Sequence, residues 1–158
     1  MTRRFSPESE RTLRQAGWYP GRTIDTAKWR VPLEESGFVF PEAAERFLGE
    51  FGGLSVEDQG SGITTAREAF EFDPLLAFGE DDRFGALGAL IGRVIAPLGE
   101  LANDGFFLGV DEEGVIYLVA GWLARFGSGD AGLENLILGV MPEALHNTWP
   151  GKPEARRG

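Results

Sequence analysis

The sequence predicts an α+β fold: a single domain with a mainly antiparallel sheet and helices packed on one face of it. Three observations carry that expectation. Apolar periodicity runs in the order helices, strands, helix, strands, helix instead of alternating as βαβ units do. Two β-runs, Phe106 to Val110 and Val115 to Val119, flank Asp111-Glu112-Glu113-Gly114, the pattern of a hairpin between antiparallel strands. The chain has 158 residues, 42% of them hydrophobic, with 12 Phe and 4 Trp, which is enough to fill one core and too short for two independent ones.

Ser6, Pro7 and Glu8 read as an N-cap, a first-turn proline and a first-turn acid, opening a short helix that ends near Gly17. Trp18-Tyr19-Pro20-Gly21-Arg22 then turns the chain. Asp25 can cap a second helical stretch with Trp29 and Leu33 on one side, which Pro32 should kink or end and Gly37 close. From Pro41, the apolar positions Ala44, Phe47, Leu48 and Phe51 recur at helical spacing, with Gly52-Gly53 as the stop.

A strand starts at Leu54 to Val56, Gly60-Ser61-Gly62 turns, and Ile63 to Phe72 alternates as a second strand ended by Asp73-Pro74. Asp81 or Asp82 caps a helix carrying Phe84, Leu87, Leu90, Ile91 and Val94, although Gly85, Gly88 and Gly92 each weaken it by about 1 kcal/mol relative to Ala. Its last turn can be read instead as a strand, Val94 to Leu98. Trp122 to Phe126 extends the sheet beyond the hairpin. Asp130 caps a last helix with Leu133, Leu136, Ile137 and Val140 inward and Pro142 past its end. The domain is expected over residues 1–145, with 146–158 as a short frayed tail rich in Pro, Gly and charge.

The charge is unevenly spread. Residues 1–30 carry net +4, residues 31–145 net −16 and residues 146–158 net +2, a total of −10. Such a body repels nucleic acid and anionic membranes and attracts a basic partner, although acidity also serves solubility alone. No apolar run approaches the roughly 18 residues that cross a bilayer, and the first residues lack a secretory h-region, so the expected location is the cytoplasm. With no cysteine there are no disulfides, thiolate nucleophiles or Cys-based zinc sites.

Several motifs invite a chemical reading and lack its supporting residues. Gly127-Ser128-Gly129-Asp130-Ala131-Gly132 matches G-x-G-x-x-G, but Asp130 puts a negative charge where a pyrophosphate must sit, and no later strand carries a ribose-binding acid. Its glycines more simply make a turn. Glu143 and His146 have the spacing of half a di-iron motif on one helical face, yet His146 is the only histidine, so no second half exists. Asp111-Glu112-Glu113 lacks the alternating ligands of a calcium loop, and Glu42 and Glu45 suit a helix N-terminus. No G-x-S-x-G elbow accompanies Ser36, Ser55, Ser61 or Ser128. Basic residues beside aromatics, as at Lys28-Trp29-Arg30, can stack bases, but the acidic body opposes a polyanion. No catalytic residue, cofactor or metal site is expected.

A helix leading into Ala16-Gly17-Trp18-x-Pro20-Gly21-Arg22 is followed by Ala43-Ala44-x-x-Phe47-Leu48-x-x-Phe51-Gly52-Gly53-Leu54, then Phe72-Asp73-Pro74, Pro97-Leu98-Gly99-Glu100, and Val110-Asp111-x-x-Gly114-x-x-Tyr117. In this order, over about residues 5–140, the chain resembles the third subgroup of the SUKH superfamily, immunity proteins of bacterial polymorphic toxin systems related to fungal cell-wall regulators. The resemblance implies an α+β domain that binds and neutralises a cognate toxin, often a nuclease or nucleic-acid deaminase, in the producing cell. It marks Trp18, Arg22, Phe47, Gly52, Gly53 and Gly114 as fold-defining. The alternative is a regulatory or scaffold domain binding some other cellular protein. For a basic toxin, the acids expected to make contact are Glu80, Asp81 and Asp82 and the hairpin tip Asp111, Glu112 and Glu113, because charge complementarity speeds capture of an enzyme with a positive substrate groove.

Overall fold

The computed structural model describes residues 4–102 and 105–148. The elements are α1 (Pro7–Ala16), α2 (Ala27–Ser36), α3 (Glu42–Phe51), β1 (Ser55–Val56), β2 (Phe70–Glu71), a 3-10 helix Pro74–Ala77, α4 (Asp81–Ile91), β3 (Ala96–Leu101), β4 (Phe106–Val110), β5 (Val115–Val119), β6 (Leu123–Ser128), α5 (Gly129–Leu138), β7 (Glu143–Leu145) and a 3-10 turn His146–Thr148. The seven strands form one antiparallel sheet in chain order, β1 to β7. The α+β class and the β4–β5 hairpin stand as expected.

The helices, however, lie on both faces. Along β5, Ile116 and Leu118 point one way and Tyr117 and Val119 the other, and all four are buried. A sheet covered on one side alternates buried with exposed; this one does not. Phe84 of α4 packs on Phe107, and a Cβ at Gly109 would come within 3.2 Å of the same ring. Leu136 of α5 lies instead on the side of Leu118 and Ala124, where all three line one cavity.

Local signals explain most boundaries. Ser6 Oγ accepts from the Ser9 N–H at 3.2 Å, and α1 closes where Gly17 and Trp18 donate to the Arg14 and Leu13 carbonyls. Asp25 Oδ1 accepts from the Ala27 N–H at 3.0 Å at the start of α2, whose N-cap position is Thr26. Pro32 does not end α2, because the carbonyl that it fails to bond belongs to exposed Lys28, where water can reach it.

Four expectations are corrected. The alternating run Ile63 to Phe72 contributes only Phe70–Glu71 to the ladder. Ahead of it, the N–H groups of Ile63, Thr64 and Thr65 donate to the Leu138 and Gly139 carbonyls at 2.9–3.0 Å, so this segment satisfies the open end of α5 instead of pairing as a strand. The helix α4 stops at Ile91, and the strand after it is Ala96–Leu101, shifted by two to three residues from the run Val94 to Leu98, with an irregularity between Pro97 and Gly99 that accommodates the proline. Asp130 is not the cap of α5: Ser128 holds that position, and the Asp130 carboxylate in the first turn accepts two bonds from Arg4 at 2.9 Å. Likewise Glu80 occupies the N-cap position of α4, with Asp81 and Asp82 in its first turn.

The strand β7 was not anticipated. It pairs Ala144 with Ala124 at the sheet edge, and the chain then continues inward: Thr148 is buried, and its hydroxyl accepts from the Leu123 N–H at 2.9 Å. Packed structure therefore extends past residue 145 at least to Thr148, while the expected fraying of the remainder falls outside the described residues.

Candidate partner-binding surface

Most of the six positions marked as fold-defining meet around the C-terminus of α3. Arg22 donates to the backbone carbonyls of Glu50 at 2.6 Å and Gly52 at 2.9 Å, so a guanidinium closes the helix where its dipole is negative. A Cβ at Gly52 would lie 2.5 Å from the Trp29 ring and 2.6 Å from the Leu48 carbonyl oxygen; only a hydrogen fits there. Gly53 donates to the Phe72 carbonyl at 2.7 Å, fastening α3 to the strand region. Phe47 bridges Phe51 and Phe72, with ring centroids 4.9 and 5.0 Å away. Trp18 lies between Phe5 and Phe51. Gly114 turns the hairpin at φ +85°.

The expected contact acids behave differently from one another. Asp111 has no accessible surface. Its Oδ1 accepts from the Glu113 and Val115 N–H groups at 2.8 and 3.1 Å, and its Oδ2 accepts from the Tyr117 hydroxyl at 2.8 Å, with Arg93 3.8 Å away. As the first residue of the turn it faces inward and holds the hairpin closed, so it presents nothing to a partner. Glu112 and Glu113 are exposed but engaged: Glu112 accepts from the Val94 N–H at 3.0 Å, and Glu113 pairs with Arg93 at 3.1 Å. Together these bonds tie the tip to the segment just after α4.

Glu80, Asp81 and Asp82 sit at the opposite end of that helix, whose eleven residues span about 16 Å. The two groups of acids are thus two sites and not one continuous patch. Glu80 pairs with Arg83 at 3.0 Å, whereas Asp81 and Asp82 make no ion pair among the described residues.

Burial and the bond to Asp111 push the Tyr117 hydroxyl well above the usual tyrosine range. A raised pKa in the folded state contributes stability that is complete below the unfolded value of about 10 and is lost as pH rises above it. Urea titrations between pH 9 and 11 should therefore show unfolding free energy falling with pH, and Tyr117→Phe should flatten that fall. An unchanged slope would mean that the hydroxyl is not held as described.

A second concave feature lies on the α5 side of the sheet, a cavity of about 260 Å³ lined by Leu101, Phe106, Leu118, Phe126, Leu136 and Val140 among others. Among the described residues Glu68 is its one ionisable lining residue, and Met141 stands exposed at its rim. It offers apolar contact and little to orient a polar substrate.

The motifs set aside on sequence grounds have structural explanations. A Cβ at Gly132 would lie 2.3 Å from the Gly127 carbonyl oxygen, so the last glycine of G-x-G-x-x-G lets α5 pack against β6, and Asp130 in that loop is held by Arg4. Glu143 is in β7 and His146 in the 3-10 turn, so the two do not share a helical face; Glu143 pairs with Arg125 at 3.1 Å. Among the described residues no group of three His, Cys, Asp or Glu side chains is arranged to hold a metal, and no helix is long and apolar enough to cross a membrane.

The family model described as SUKH-3 immunity protein matches residues 5–139, from the residue before the N-cap of α1 to the end of α5. No curated protein and no solved structure matches the chain.

Proposed function

The chain belongs to the SUKH-3 immunity protein family, and from that premise we propose that it protects the producing bacterial cell by binding a protein toxin of a polymorphic toxin system in the cytoplasm, without chemistry, metal or cofactor of its own. The observation that carries this reading is the extent of the family match, which includes all five helices and six of the seven strands. Its partner is a basic domain acting on nucleic acid, a nuclease or deaminase. In support, residues 31–145 carry net −16, and an enzyme that grips a polyanion presents a positive groove to which such a body is complementary. The same charge disfavours nucleic acid or an anionic membrane as the partner.

The test is co-purification from the native host, identification of the bound protein, and expression of that protein in a naive cell with and without this chain. Growth restored only when both are present is the expected result. A bound protein that is harmless when expressed alone would replace this reading with a regulatory or scaffold role.

A further inference from the structure

We infer that the partner docks on the surface where the C-terminal half of α2 meets the segment from residue 75 to residue 82, and that the matching patch of the partner combines Lys or Arg side chains with apolar ones. The inference rests on the toxin-binding reading and adds the place and the chemistry of contact.

Two stretches of chain, separated by more than 30 residues in sequence, come together here. The Phe38 ring meets the Phe84 ring edge-on at 5.4 Å. A Cβ on Gly37 would lie 2.8 Å from Asp81 Oδ2, so the end of α2 touches the first turn of α4. Beside that seam stand Val39, 60% exposed, and Phe78, 61% exposed, with Leu75 and Leu76 near 40%. Since Phe38 turns into the core, Val39 next to it is turned out. Leaving several large apolar side chains in water is unfavourable, and a group of them where α2 contacts the 3-10 helix Pro74–Ala77 marks a surface that another molecule covers.

The rim says what covers it. Glu34 and Glu35 lie exposed in the C-terminal half of α2, and across the seam Glu80, Asp81 and Asp82 open α4, with Asp81 beside Gly37. Arg30 neutralises Glu34 and Arg83 neutralises Glu80, at 3.3 and 3.0 Å. Glu35, Asp81 and Asp82 form no ion pair among the described residues, so three carboxylates stay uncompensated around an apolar centre. An apolar or acidic partner would leave these charges unanswered, whereas a basic one with long aliphatic stems satisfies both the rim and the centre. By contrast, the acids of the hairpin tip are already engaged by Arg93 and the Val94 N–H, and among the described residues the α5-side cavity is lined by a single carboxylate, Glu68.

The experiment uses the full chain and, as probe, the toxin domain captured by the co-purification described above, with association and dissociation rates measured at low and high salt. The triple variant Glu35→Gln, Asp81→Asn, Asp82→Asn should associate about tenfold more slowly at low salt and approach wild type at high salt, as lost steering requires. Phe78→Ala should dissociate about tenfold faster or more, as an apolar anchor does. Met141→Ala, at the rim of the other cavity, serves as control and should match wild type. Superimposable melting curves for all three variants show that folding is not the cause. If wild type binds and the triple and Phe78 variants bind equally well, the docking surface is wrong while the toxin-binding reading stands. If wild type itself fails to bind the captured domain, both fall.

Discussion

Replacing Trp18 by alanine lowers the free energy of unfolding by about 3 to 5 kcal/mol, the range for removing a large aromatic side chain from a core. The indole is 5% exposed. It meets Phe5 edge-on at 5.8 Å and stacks on Phe51 at 6.4 Å, while its Nε1–H donates to Glu50 Oε2 at 3.0 Å. The same Glu50 carboxylate also accepts from Arg4 at 2.8 Å. Truncation therefore opens a void among aromatic rings and removes a donor from a carboxylate that joins the N-terminal segment to α3. Urea titration reads the effect as a lower midpoint at an unchanged slope. Trp18→Phe, which keeps most of the packing and loses the donor, should lie between the two. A loss below about 1 kcal/mol for the alanine variant would mean an indole resting on the surface and not in the core.

Asp111→Ala is the second large effect, about 2 to 4 kcal/mol, because it strands donors instead of emptying space. Three groups rely on this carboxylate, the N–H of Glu113, the N–H of Val115 and the Tyr117 hydroxyl. Each buried donor left without an acceptor costs about 1 to 3 kcal/mol, and those that water reaches at the turn cost less. Removing the carboxylate and the hydroxyl together, with Asp111→Ala and Tyr117→Phe, should cost less than the sum of the two single changes, since the double variant leaves no hydroxyl unsatisfied. Strict additivity in thermal or urea unfolding would count against a direct bond between the two groups.

The parts of this fold legible in the sequence are those fixed by local rules. The helices α1 and α3 announce themselves through a serine cap, helical spacing of Ala44, Phe47, Leu48 and Phe51, and glycine stops. The β4–β5 hairpin follows from two β-runs around a four-residue turn. Long-range bonding decided the rest. Ile63 to Phe72 alternates like a strand, but nothing local reveals that its first donors serve the end of α5. The strand β7 has three residues, too few for any period, and it exists because β6 has an open edge to pair.

The candidate site was legible only in part, for a related reason. A run of three acids at a hairpin tip looks uniformly exposed, yet backbone geometry turns Asp111 inward and leaves the other two outside. Asp81 and Asp82 could be picked out by charge. Val39 and Phe78 could not, because an outward valine or phenylalanine is indistinguishable from a core residue until the two segments are seen side by side.

Because neighbouring strands in the sheet are also neighbours in the chain, each strand from β2 onward finds its partner already synthesised as it leaves the ribosome. Assembly can then proceed from one edge, without holding a strand open for a distant mate, which limits the time that an unpaired edge is offered to other chains. Contacts with the last helix do wait: Arg4 bonds to Asp130, 126 residues later, the Ser6 N–H bonds to Glu134, and the N–H groups of Ile63 to Thr65 bond to the end of α5. Release of the last helix is thus the event that closes these contacts, and a ribosome stalled before α5 emerges would display six of the seven strands with the N-terminal segment joined to α3 but not yet to α5.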